Sequence, residues 1–355
     1  MIHIQVNKCY FFYNDLFKYH ISMDCALLSF LTHTEDHAYI IDSGKSCGYE
    51  SDRITRVNEL IIEQNSFVFC SFFQDIEQFL PILDKESGVK IINVWHGMPL
   101  RTIGFDDFYE KEFSFIKGVD GYQEFIEHFV VSQKYVSIFE KGFKTYENKV
   151  HCIGNIRNNA QIVNYGLRGF DNKIALFAPS ANNFKAFLSV SEQLNLEISD
   201  EELNYFLRDE GIVLLYKEHP GTLNPVPMKL YTNLIKINDV DMKNFGVQIG
   251  NLIQDIDVFI TDFSSLIVDF LCRNKPVITI LPKYDAFKKR AFIIAPDVLY
   301  GEKFSCEESF IALLKNKIEL SKSDPHTRML QDSLSLTTVD AGYEFVKRLQ
   351  LIAMS

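Results

Sequence analysis

Short β-rich apolar runs alternate with helical patterns from about residue 38 onward. Residues 38–41, 66–70, 89–94, 129–131 and 150–154 predict strands, and 54–63 and 74–83 predict helices. Ahead of them, residues 1 to about 37 are aromatic-rich without a regular period and close on the polar run His33-Thr34-Glu35-Asp36-His37. A polar, Gly-bearing passage over 164–172 reads as a linker, and beyond it the alternation restarts. Strands are predicted at 173–178, 212–217, 234–237, 258–261 and 277–281. Ser199-Asp200-Glu201-Glu202 is a capping-box start for a helix through Leu207, and further helices are predicted over 266–272, 308–320 and 339–351. Such alternation argues for βαβ units on parallel sheets. Two similar-sized α/β halves with a terminal helix suggest the GT-B architecture: Rossmann-like domains over 1–165 and 166–335, a closing helix over 336–355, and sheets facing a central cleft.

In open parallel sheets, ligands sit outside the carboxyl ends of the strands. Three runs place chemistry there: Trp95-His96-Gly97-Met98-Pro99, Lys217-Glu218-His219-Pro220 and Thr261-Asp262-Phe263-Ser264-Ser265. They predict one cleft fed by both domains. His96 is a candidate general base, because an imidazole titrates near neutrality. Gly97 permits a tight turn, and Arg101 nearby can hold an anionic group. The alternative is a histidine packed under a loop against a carbonyl. Lys217 and His219 fall on the same side of an extended chain and together offer a fixed positive charge and a titratable donor to a pyrophosphate. Ser264, Ser265 and the free N–H groups of the following helix start suit a phosphate. A plain N-cap from Asp262 or Ser264 is the competing explanation.

Other signals fail. Gly44-Lys45-Ser46 ends like a phosphate-binding loop, but Tyr39 stands where its first Gly belongs. His33 and His37 have a zinc-like spacing within what reads as a polar loop, and Asp106-Asp107 reads as a solvated turn. Lys283, Lys288, Lys289 and Arg290 either steer an anionic acceptor or form a solvated helix face.

Composition narrows the class. The 355 residues suffice for two domains, and 47% hydrophobic with 23% charged residues is a soluble globular balance. A net charge of -11 without a basic stripe argues against nucleic acid as partner. The seven cysteines are scattered without a C-x-x-C pair, which points to buried thiols in a reducing compartment and to no protein-held metal. The N-terminus lacks a signal-peptide pattern, and the densest apolar stretch, 67–73, is too short to span a bilayer. A cytoplasmic protein is expected.

In order along the chain, Trp95-His96-Gly97-Met98-Pro99-Leu100-Arg101, Gly154-Asn155-Ile156-Arg157-Asn158-Asn159, Lys217-Glu218-His219-Pro220, and Ile260-Thr261-Asp262-Phe263-Ser264-Ser265 with Asp269 and Lys275-Pro276-Val277 form four blocks. Together they resemble the CDP-glycerol glycerophosphotransferase family, whose members build teichoic-acid and related capsule phosphopolymers. The resemblance spans roughly residues 90 to 300. It implies a GT-B fold with the nucleotide on the C-terminal domain and the acceptor on the N-terminal one. It implies transfer of glycerol- or ribitol-phosphate from a CDP-alditol to a polymer or lipid-linked saccharide hydroxyl, with release of CMP. His96 would be the base, with Gly97 shaping its turn and Arg101 and Arg157 holding phosphate. Lys217, His219, Ser264 and Ser265 would cradle the pyrophosphate beside Asp262, with His219 counted with His96 as catalytic, and Asp269 would brace the site. No tightly bound cofactor is expected, only Mg²⁺ carried with the donor pyrophosphate, and peripheral contact with the inner face of the plasma membrane. Met98 replaces a Thr, Ile156 and Glu218 each replace a Pro, and Ala181-Asn182 replace a Trp-Arg pair. Two alternatives are a GT-B glycosyltransferase using a nucleotide sugar and a non-catalytic nucleotide-binding member of a surface-polymer assembly.

Overall fold

The computed structural model describes residues 1–13, 21–42, 50–57, 61–107, 114–158, 172–180, 188–219, 222, 229–238, 252–281, 292–300, 304, 306–336 and 340–355. The loop at 44–46, the basic cluster at 283–290, Pro220 and most of the expected linker lie outside them. The chain divides into two compact units, Met1–Gln161 with Leu334–Ser355, and Ile162–Ser333. The sequence placed a boundary at 165/166 and set 336–355 apart, whereas those last residues pack as part of the first unit.

The first unit holds β1 (Cys9–Tyr13), β2 (Ala38–Asp42), β3 (Ile54–Val57), β4 (Phe67–Cys70), β5 (Lys90–Asn93), β6 (Ile126–Val130) and β7 (Val150–Cys152). All pair in parallel in the order β3-β2-β1-β4-β5-β6-β7. The second unit holds β8 (Lys173–Phe177), β9 (Ile212–Lys217), β10 (Leu234–Ile237), β11 (Val258–Thr261) and β12 (Val277–Thr279), again all parallel, in the order β10-β9-β8-β11-β12. The strand order reverses direction at β1/β4 and at β8/β11, the switch points where crevices open in such sheets.

Three expected elements and two residue placements need correction. The aperiodic N-terminal stretch holds the interior strand β1 and a helix, Ile21–His33. All five residues of β1 are buried, so they cannot show the in–out alternation of a half-exposed strand. Residues 54–57 form a strand, not a helix. Ile54, Thr55 and Val57 are β-branched and suit an extended edge position, in register with Ala38–Ile41 of β2. The helix expected over 74–83 is a short one, Phe73–Glu77, followed by a 3₁₀ turn at Leu80–Ile82. Pro81 sits at the start of that turn and has no N–H to continue an α-helix. The capping box of Asp200–Asp209 is present: Ser199 Oγ accepts from Glu202 N at 3.2 Å, and Glu202 Oε2 accepts from Ser199 N at 2.9 Å. Asp107 is buried, not solvated, at the end of the 3₁₀ turn Gly104–Asp106. Cys9, Cys25 and Cys70 are buried free thiols, but Cys152, the last residue of edge strand β7, is exposed. His37 Nε2 lies 2.7 Å from Thr55 Oγ1. Among the described residues, no group of three or more His, Cys, Asp or Glu is placed to hold a metal ion.

The first core is aromatic. Phe11 stacks on Phe69 with centroids 4.3 Å apart, beneath the helix Ile21–His33. The C-terminal helix Ala341–Ala353 completes this core with Phe345, Val346, Leu349 and Ile352. Phe345 meets Phe129 and Phe69 at 5.1 and 6.0 Å. Two contacts hold it there, and another anchors Leu334 ahead of it. Ser132 Oγ donates to Leu334 O at 2.6 Å, and Lys90 Nζ donates to Ile352 O at 2.8 Å. Gly342 packs so closely that a Cβ there would lie 3.0 Å from Ser29 Oγ. We expect Phe345→Ala to destabilise the first unit by about 3–5 kcal/mol, read as a lowered urea midpoint. A loss under about 1 kcal/mol would mean that the helix is not part of this core.

Candidate active site at the strand carboxyl ends

In the first unit, β4 and β5 lie side by side and deliver Ser71-Phe72 and Trp95-His96 to the same sheet edge. His96 Nδ1 is 3.3 Å from Ser71 O. A carbonyl only accepts, so Nδ1 carries the proton and Nε2 keeps its lone pair. The ring stacks on Phe72 (4.5 Å, 13°) and lies beside the Trp95 indole at 4.8 Å. By surface area His96 remains open to solvent, yet protein crowds its flanks. Burial, chiefly, lowers its pKa to about 4; the Arg157 and Arg101 charges act the same way and the Ser71 bond opposes them. His96 is therefore neutral at physiological pH. Arg157 follows β7 and donates from Nη1 to His96 O at 3.3 Å, which brings the second sequence block to the histidine. Gly97 is buried, Arg101 is half-buried, and Pro99 O accepts from Tyr135 Oη at 2.9 Å, tying the run to the helix Gln133–Phe143.

In the second unit, Tyr216, Phe177 and Ile260 stand in one row across β9, β8 and β11. Lys217, Ala178 and Thr261 therefore form the next row, and His219, Ser180 and the Asp262-Ser265 turn emerge beyond it. The Asp262 carboxylate bridges the switch point: Oδ1 accepts from Ser180 N at 2.9 Å and from Phe263 N at 2.5 Å. Burial raises its pKa, and those N–H bonds work against the rise. Ser264 Oγ takes only a long 3.4 Å bond from Leu266 N, and Ser265 makes no side-chain cap. The helix Leu266–Leu271 is six residues long, so an anion here would be held by hydroxyls and N–H groups more than by a macrodipole. Asp269 is buried on its first turn.

Lys217 ends β9 and is 7% exposed. Burial brings its pKa down to about 8. His219 keeps solvent contact by area, and burial followed by the Lys217 charge lowers it to about 4. Glu218 Oε2 pairs with Lys236 Nζ on β10 at 2.9 Å, a restraint where the resembling family has a proline.

The sequence reading missed several neighbours of these groups. Ser71 and Phe72 flank His96, and only the adjacency of β4 and β5 exposes that. Tyr300 has a buried hydroxyl without a hydrogen-bond partner among the described residues, and burial followed by the Asp262 charge pushes its phenol up. Asn93 and His128 are buried polar residues inside strands.

A family model for CDP-glycerol:poly(glycerophosphate) glycerophosphotransferase matches residues 26–335. The teichoic acid glycerol-phosphate primase of Bacillus subtilis (strain 168) is 26% identical over 231 residues, covering 62% of this chain and 55% of that protein. A teichoic acid glycerol-phosphate transferase of Staphylococcus aureus (strain NCTC 8325 / PS 47) is 24% identical over 217 residues, covering 55% and 53%. The chain thus spans about half the length of the curated relatives it matches. The wall teichoic acid polymerase TagF superposes with a TM-score of 0.67 at 16% identity, covering 99% of this chain and 88% of that one. A TagF variant soaked with CDPG gives the same TM-score at 98% and 89% coverage and 16% identity. A Listeria monocytogenes putative UDP-N-acetylglucosamine 2-epimerase superposes at 0.54 with 11% identity, covering 96% and 94%. These likenesses place the two parallel sheets in the GT-B class. With the family model matched along most of its length, the chain belongs to the CDP-glycerol:poly(glycerophosphate) glycerophosphotransferase family.

Proposed function

We propose that the protein transfers glycerol-phosphate, or ribitol-phosphate, from a CDP-alditol to a hydroxyl of a cell-surface polymer or lipid-linked saccharide, releasing CMP. The observation that carries this reading is His96, held neutral with Nδ1 on the Ser71 carbonyl and Nε2 left to accept a proton. In the proposed step Nε2 takes the acceptor hydroxyl proton, and that oxygen attacks the distal phosphorus of the donor. The bond from that phosphorus to the bridging oxygen breaks, and CMP leaves with the electron pair. Lys217 and His219 stabilise the charge that develops on the departing phosphate, and Ser264 and Ser265 bond the pyrophosphate oxygens. Arg101 and Arg157 hold phosphate near His96; Asp262 and Asp269 keep the second unit's edge in shape.

Family membership supports the donor class, as does the TagF variant soaked with CDPG. We assign the donor to the second unit and the acceptor to the first, and any Mg²⁺ to the donor pyrophosphate. No helix of the described residues is long and apolar enough to cross a membrane. We propose action at the cytoplasmic face through peripheral contact with the membrane.

The decisive assay measures the nucleotide released from CDP-glycerol, CDP-ribitol and UDP-sugars with a synthetic lipid-linked saccharide acceptor. CMP should appear from a CDP-alditol and fall by at least about 100-fold in His96→Ala. UDP from a sugar donor would make the protein a glycosyltransferase, and an unaffected His96→Ala would remove the base.

The pH profile follows from the two shifted groups. The base works when neutral, so kcat/KM should hold on the acid side until pH approaches about 4. Lys217 works when protonated, so kcat/KM should fall as pH rises through about 8. Lys217→Arg keeps its charge well beyond that pH and should move the alkaline limb outward; an unmoved limb would sink the lysine's role.

A further inference from the structure

Asn93 ends β5, and His128 stands beside it in register on β6. The two are 0% and 1% exposed. Trp95 N donates to Asn93 Oδ1 at 3.0 Å, and Asn93 Nδ2 lies 3.0 Å from His128 Nδ1. This relay has one consistent direction. A backbone N–H can only donate, so Oδ1 must face Trp95. Nδ2 then faces His128 and also can only donate, so His128 Nδ1 must be the bare nitrogen, with the ring proton on Nε2. Burial, chiefly, holds His128 in the neutral form this requires, with its pKa lowered to about 3 against the pull of Glu127 and with the push of His151. The ring lies flat on Phe143, with centroids 5.1 Å apart.

The relay has a strained object to hold. Trp95 is left-handed, at φ 54°, a conformation in which a bulky side chain is an outlier unless its surroundings fix it. His96 is the next residue, and its Nδ1 must reach Ser71 O across the edge. An apolar pair at 93 and 128 could fill the space but would leave the Trp95 N–H without this acceptor.

We propose that Asn93 and His128 are positioning residues for His96, locking the Trp95 turn through a fixed imidazole tautomer. The proposal rests on His96 as the base. Its first test is made on wild-type protein with ¹⁵N-labelled histidine, reading ring tautomers from long-range proton–nitrogen spectra, with His128 assigned by substitution. A His128 ring protonated at Nε2 is expected; one protonated at Nδ1 overturns the relay, whatever the variants do. The second measures CMP release from CDP-glycerol with the synthetic acceptor. Asn93→Ala should lower kcat by about tenfold or more, since small displacements of a catalytic group carry such losses. The KM for CDP-glycerol should stay within about twofold, because an effect confined to the base spares donor binding. Placed in His96→Ala, the same change should cost less than about twofold. An unchanged kcat in Asn93→Ala, or equal losses in both backgrounds, would reduce Asn93 to a packing residue. A fully active His96→Ala would overturn the base itself, a failure seen without touching Asn93.

Discussion

Two parallel strands cannot be joined by a tight turn; each connection has to cross a face of the sheet and return to the starting edge. Both sheets here are parallel throughout, so within each sheet every strand enters at one edge and leaves at the other. Among the described residues, twelve strand exits are thereby gathered on two edges, and residues far apart in sequence are brought alongside. Ser71 reaches His96 because β4 neighbours β5, and Ser180 reaches Asp262 because β8 neighbours β11. Helix-covered faces are the structural cost, and they explain why strands such as β1 are buried at every position.

Burial dominates the electrostatics of both edges. It lowers His96, His128, Lys217 and His219 and raises Asp262, in each case as the largest contribution. One register step back from His128 on β6 the balance is different. There Glu127 lies 2.6 Å from Lys149 and 2.7 Å from His151, and these bonds outweigh burial and keep the carboxyl below its ordinary range. That carboxylate is matched with partners. At the exits the shifts instead favour neutral imidazoles and a lysine that titrates within reach of neutral pH, which suits groups that take or give protons.

What the sequence disclosed follows the same division. The exits at His96, Lys217 and Ser264 were legible because each polar run follows a short β-branched stretch and breaks its pattern. The strand at Cys9–Tyr13 and the helix at Ile21–His33 were not, since burial on both sides erases the period that marks an element. Residues 54–57 were misread because four residues of an edge strand carry too little alternation to exclude a helix. Asn93 and His128 stayed hidden for another reason: their meaning lies in the register of β5 against β6, and no spacing along one chain encodes a pairing between strands. Glu218 looked like a lost proline until Lys236 supplied the restraint from the next strand.

The C-terminal helix ties the first unit to the order of synthesis. Its Phe345, Val346 and Leu349 complete a core begun by Phe11 and Phe69, yet the ribosome makes them only after the whole of Ile162–Ser333. The second unit can close while the chain is still growing, whereas the first must wait with an aromatic face uncovered. Folding of the unit translated first is thus finished last.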